Sequence, residues 1–165
     1  MKHTISVLVE NHAGVLARIS GLFARRGFNI DSLAVGVTDD VNVSRITIVA
    51  DGSDYTLEQI EKQLNKLIDV IKVKTLSPDN MVSRELILIK VCCAPKQRPE
   101  IIGICTMSHA KIVDISSNSV TIEISDSMEN LNNFEELLRP YGVKEIVRTG
   151  VIAVQKGESA VAVKN

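Results

Sequence analysis

The order in which apolar periodicity changes along these 165 residues constrains the fold more than any other feature. Lys2 to Glu10 alternates, with Ile5, Val7 and Val9 on one face and Thr4, Ser6 and Glu10 mostly on the other, which is a strand pattern. Gly14 to Arg26 then places Val15, Ile19, Leu22 and Phe23 at helical spacing, and Gly27 follows where a left-handed cap ends a helix. Phe28 to Thr38 and Val41 to Ala50 alternate again around a polar Thr38-Asp39-Asp40 turn, so they form a hairpin. Thr56 with Gln59 reads as a capping box opening a helix that turns Leu57, Ile60, Leu64 and Leu67 inward, and Val70 to Leu76 is a fourth strand. After Ser77-Pro78-Asp79-Asn80 the same order recurs. Glu85 to Ala94 is a strand, a helix opens around Pro99, and Lys111 to Ile115 and Val120 to Ile124 make a hairpin. Asp126 with Glu129 caps a second helix, and Val143 to Val154 supplies the last strand or two.

Two β-α-β-β-α-β runs specify an α+β chain of two ferredoxin-like sandwiches in tandem. The expected boundaries are residues 1–77 and 82–157, with 158–165 as a flexible tail because its small and charged residues have little to pack against. In such a sheet the strand order is four, one, three, two. The second strand therefore lies at an edge, and its small Ser32, Ala34 and Gly36 favour pairing with a second copy of the chain.

Composition narrows the function. Lys and Arg number 19 against 20 Asp and Glu, and with two Tyr, three Phe and no Trp the chain lacks both the basic field and the stacking platforms of a nucleic-acid binder. No apolar run is long enough to cross a membrane, so a soluble, cytoplasmic protein is expected. Cys92, Cys93 and Cys105 are expected to be reduced structural thiols; neighbouring strand residues face opposite ways, so the first two do not readily share a metal. His3, His12 and His109 are scattered, with no spacing that forms a nucleophile–base pair or a metal set.

The strand-to-helix loop carries the most chemistry. Free amides near Gly14, Val15 and Leu16 suit a carboxylate, while Asn11 and Asn29 suit the ammonium of a small zwitterion. Edge pairing of the second strand would bring Asn29 and Ile30 of one chain to the Asn11 to Leu16 loop of another, making one shared pocket. Spacing alone favours an ordinary helix cap and a turn glycine over such a pocket.

The longer pattern distinguishes these. Val-Glu-Asn-x-x-Gly-Val-Leu-x-Arg, followed by Gly-Leu-Phe-x-Arg-Arg-Gly-Phe-Asn-Ile-Asp-Ser-Leu, closely resembles the opening of the acetolactate synthase small regulatory subunits, an ACT-domain family. Val43-Ser44-Arg45, the run from Glu58 to Leu67, Arg84-Glu85-Leu86, Lys111 to Asp114 and Arg148-Thr149-Gly150-Val151 extend the resemblance over nearly the whole chain. It implies a non-catalytic subunit that activates a thiamine-diphosphate-dependent catalytic subunit and confers feedback inhibition by valine in branched-chain amino acid biosynthesis. The family's effector site maps onto Asn11, Gly14 and Asn29, with Ala13, Val15, Leu16 and Ile30 around them. Thiamine diphosphate, magnesium and FAD would belong to the partner, with no cofactor and no metal in this homodimeric chain. His12, Ala13 and the Thr106 to Ala110 segment depart from the family's commoner residues. A free-standing amino-acid-sensing regulator and a small ferredoxin-like enzyme are the alternatives from other classes.

Overall fold

The computed structural model describes residues 1–163; Lys164 and Asn165, the end of the expected tail, lie outside the described residues. Contacts divide the chain into two units, one of Met1–Val82 together with the residues from Val151 onward, the other of Ser83–Gly150. In the first unit β1 (Lys2–Glu10), β2 (Ile30–Val37), β3 (Val43–Asp51) and β4 (Val70–Leu76) form an antiparallel sheet in the order β2-β3-β1-β4, leaving β2 at an edge as its sequence position requires. Helices α1 (Val15–Arg26) and α2 (Asp54–Leu64) cover one face. Ile5, Val7, Val9, Ile46 and Ile48 meet Val15, Ile19, Leu22, Phe23, Ile60 and Leu64 there in one core. At about 1.5–3 kcal/mol for each fully buried large aliphatic or aromatic side chain, this layer is the main stabilising term of the unit.

The opposite face of this sheet departs from the alternation read in the sequence. Leu8 shares it with Thr4 and Ser6, and Ser6 and Thr47 are buried beside it. Leu8, Val43 and Leu76 form a second cluster with Ala153 and Val161. The chain thus returns to the first unit after Gly150 through β9 (Ile152–Gln155), where the Val151 amide donates to Ser32 Oγ at 2.8 Å and the Lys156 amide to the Asn80 carbonyl at 3.0 Å. Arg45 donates to the Val161 carbonyl and Lys72 to that of Ala162. Contacts thus group the residues from Val151 onward with the first unit, whereas the sequence suggests a second domain of 82–157 and a tail from 158; within that tail Val161 is buried against the second sheet face, while residues 158–160, 162 and 163 are exposed.

In the second unit β5 (Met81–Cys92), β6 (Lys111–Ile115), β7 (Ser119–Asp126) and β8 (Val143–Arg148) repeat the order as β6-β7-β5-β8. Helices α3 (Arg98–Met107) and α4 (Met128–Leu138) close a core containing Ile87, Ile89, Val91, Cys105, Ile122 and Phe134. Arg148 ties its end together, donating to the buried Glu85 at 3.0 Å and to Glu135 at 2.7 Å, which is what the Arg84-Glu85 and Arg148-Thr149 stretches do. Two helix starts shift from expectation. Ser53, not Thr56, caps α2 by accepting the Thr56 amide, and Ser127, not Asp126, caps α4 by accepting the Asn130 amide. In both, an extended serine reaches the third helical amide, the usual capping geometry. Cys92, Cys93 and Cys105 are free thiols, and burial pushes the Cys105 thiol up from its ordinary value.

Candidate functional site

The loop between β1 and α1 is held from behind. The Asn11 amide donates to the Asn42 carbonyl at 2.7 Å and its side-chain amide to the Val41 carbonyl at 2.8 Å, anchoring the loop on the β2–β3 turn. Gly14 then enters the helix with φ of 89°, a left-handed conformation in which a glycine avoids the strain of other residues. It provides no side-chain cap, and the first turn contains no acidic residue. The first intrahelical bond runs from the Arg18 amide to the Gly14 carbonyl at 3.0 Å, so the amides of Val15, Leu16 and Ala17 precede any acceptor within the helix. Helix starts of this kind attract anions through oriented N–H groups and the positive end of the macrodipole. Val15 is buried beneath the turn, whereas Ala13 and Gly14 are exposed and Leu16 presents 43% of its surface.

Asn29 and Ile30 lie at the other end of α1. A helix of 12 residues is about 18 Å long, and Ile30 pairs with Ala50 while Glu10, just before the loop, pairs with Val43 at the far end of β3. Asn29 donates to Asp31 at 2.7 Å, and Asp31 also pairs with Lys2 at 3.3 Å. One chain therefore keeps Asn11, Ala13, Gly14, Val15 and Leu16 together and holds Asn29 and Ile30 apart from them. The edge strand between these regions exposes Val35 and Val37, at 49% and 58%.

A charged group beside the loop escaped the reading of the sequence. His12 Nε2 lies 3.2 Å from Asp69 Oδ1 and 3.3 Å from Glu10 Oε2, while Arg18 binds the other oxygen of Asp69. Asp69 is buried, and its guanidinium partner holds its carboxyl below the ordinary value, with His12 adding to the effect. The Ala13 carbonyl, with Asp69 and Glu10 behind it, raises the His12 imidazole above its ordinary value. The only sequence signal was an acid isolated between Ile68 and Val70 at the mouth of a strand. Its partners become visible only once β4 lies beside β1.

Comparison with known proteins agrees with this architecture. A family described as an AHAS small subunit-like ACT domain matches residues 5–72, and one described as the small subunit of acetolactate synthase matches residues 84–157. The chain is 50% identical to the probable acetolactate synthase small subunit of Archaeoglobus fulgidus, over 95% of this chain and 98% of that protein. It is 53% identical to the acetolactate synthase small subunit of Mycolicibacterium smegmatis, over 94% and 91% of the two chains. The crystal structure of the small subunit from Thermotoga maritima superposes with a TM-score of 0.89 at 40% identity, covering 96% of this chain and 99% of that one.

Proposed function

The chain belongs to the acetolactate synthase small-subunit family, and from that premise we propose that it activates a catalytic partner and makes that partner sensitive to valine. The observation that carries the effector reading is the start of α1: a left-handed Gly14, no side-chain cap, no acidic residue in the first turn, and an asparagine-anchored loop in front of it. The amino acid's carboxylate would bind the amides of Val15 and Leu16. Its ammonium would meet the side-chain oxygen of Asn11 and the Asn29 region of a second copy, and its aliphatic side chain would lie against Leu16 and Ile30. The separation of these two halves along α1 favours a homodimer paired through the edge strand β2, with two shared sites.

Valine then acts through differential affinity. If it binds one arrangement of the dimer better, the holoenzyme shifts toward the arrangement of lower activity by no more than that difference. Thiamine diphosphate, magnesium and FAD are assigned to the catalytic subunit, and the complex to the cytoplasm.

Replacing Gly14 with Asp tests the site. Aspartate tolerates a left-handed backbone better than most residues, and a Cβ at this position meets no atom within 4 Å, so the variant adds a carboxylate with little steric conflict. Loss of charge-assisted hydrogen bonds of about 1.5–3 kcal/mol weakens valine binding by roughly ten- to a hundredfold. Calorimetry on the isolated subunit and valine titration of the reconstituted enzyme both read this. Unchanged inhibition in the variant would remove the assignment, and failure of the wild-type chain to stimulate its partner would remove the regulatory reading itself.

A further inference from the structure

We propose that Glu10, His12 and Asp69 form a binding site for a divalent cation of borderline hardness such as Zn²⁺ beside the effector loop. Their ligand atoms all lie within 4.8 Å of one another. The two separations from His12 Nε2, 3.2 Å to Asp69 and 3.3 Å to Glu10, match the roughly 3.3 Å between ligand atoms around a tetrahedral ion with bonds of about 2.0–2.1 Å. One imidazole and two carboxylates form a mixed N/O donor set, and the exposure of His12 and Glu10 leaves room for water to complete the coordination.

The surroundings orient these donors as metal sites do. His12 Nδ1 lies 3.1 Å from the Ala13 carbonyl; with the proton on Nδ1 donated there, the Nε2 lone pair faces two carboxylate oxygens. Three electron-rich atoms then converge on one point, and either a proton on Nε2 or a metal cation relieves their repulsion; the cation competes with the proton for this position. A second ring nitrogen bonded to a backbone carbonyl is the usual support for a metal-bound histidine. Asp69 is held in the same manner: Arg18 takes its other oxygen, Oδ1 faces His12 Nε2 and no other side chain among the described residues pairs with it, and the side chain is only 7% exposed, so its position is set by the fold. Cation occupancy would brace the loop from Glu10 to Ala13, immediately before Gly14.

The site is tested on the chain alone, without valine or the catalytic partner, so the result stands apart from the effector reading. The dialysed protein is titrated with Zn²⁺ by calorimetry, and with Co²⁺ followed by its visible absorption. The expected result is one ion per chain, with binding weakened at least about tenfold by His12→Gln and by Glu10→Gln. Both changes lie on exposed side chains and should leave the circular dichroism melt unchanged. Absence of stoichiometric binding, which would mean that only a proton on His12 fills the gap, overturns the proposal. So does binding that survives both substitutions, which would place the ion on the thiols or on another histidine.

Discussion

In the first unit the amides of Glu10 and Asn11 donate to the carbonyls of Asp69 and Asn42; in the second the amides of Cys92 and Cys93 donate to those of Gly142 and Asn118. The bulges that break strand register also correspond. They fall at Leu8/Val9 and Ile30/Ser32 in one sheet and at Lys90/Val91 and Ile112/Asp114 in the other. From 8 to 90, 10 to 92 and 30 to 112 the separation is constant at 82 positions. The backbone frame is repeated while the residues on it are not. Asn11 is replaced by Cys93 and Asp69 by Gly142, and the open turn at Gly14 by a 3-10 turn from Pro95 to Gln97. Its glutamine side chain already accepts the Ala94 amide. The anion site proposed at Gly14 would therefore be a property of one entry to a first helix and not of the shared fold.

The cores separate the two units most strongly. On the same frame Phe23 of α1 corresponds to Cys105 of α3, both buried. The serine caps, 53 and 127, align Ile60 of α2 with Phe134 of α4. One unit places its large aromatic ring on the first helix and the other on the second, so each keeps bulk between its helices and sheet. Phe23→Ala should cost about 3–5 kcal/mol and lower the first unit's transition in urea. Cys105→Ala removes little more than one methylene's worth of burial and should cost about 1 kcal/mol in the second. Hydrogen exchange resolved by unit distinguishes them, and equal losses would break the alignment of the two cores.

Where each unit was legible in the sequence follows from the same contrast. Alternation and helical spacing are local, so both strand orders and all four long helices could be read from residues such as Ile5, Val7, Ile19 and Leu22, which the fold buries together. The loop residues Asn11, Gly14 and Val15 are also local, and their motif is long enough to be specific. Asp69 beside His12 was not legible, because nothing in either residue's neighbourhood names the other. Val161 was missed for a related reason. A valine among small and charged residues looks like a tail until the second face of a sheet is known to require cover. The internal repeat was legible as architecture alone, since its exact register is carried by backbone hydrogen bonds.

A smaller effect sharpens the comparison at the end of the first helix of each unit. Gly27 is left-handed with φ of 68°, and its successor Phe28 donates to the Phe23 carbonyl at 3.0 Å. His109 occupies the matching place with φ of 55°, and Ala110 donates to the Cys105 carbonyl at 2.8 Å. Histidine in this conformation carries about 1–2 kcal/mol of strain that glycine lacks. His109→Gly should thus stabilise the second unit by about 0.5–1 kcal/mol, once the looser unfolded chain is counted at roughly 0.4–1 kcal/mol. Gly27→Ala should destabilise the first by about 1 kcal/mol. Thermal denaturation of the two variants checks the opposite signs, and two changes of the same sign would mean that the two caps are not equivalent.

The smallest difference is electrostatic and lies just before the second helix of each unit, where Gly52 precedes the Ser53 cap and Asp126 precedes the Ser127 cap. Asp126 Oδ1 accepts the Ser127 amide at 2.6 Å, and that bond holds its carboxyl below the ordinary value of 3.8, with Asn130 next in effect and Arg84 and His109 adding to it. A carboxyl lowered in the folded state stabilises the fold above the ordinary value, and the gain is lost as pH falls through the lowered one. The contribution is modest because solvent screens a carboxylate at this position. Urea denaturation followed from pH 6 downward should show the second unit weakening more steeply below about pH 4 in the wild type than in Asp126→Asn, whose amide oxygen can still accept the Ser127 proton. The first unit, with glycine at the matching position, should respond alike in both proteins. An identical acid slope for the second unit in wild type and variant would show that the carboxylate adds nothing that a neutral acceptor at this cap lacks.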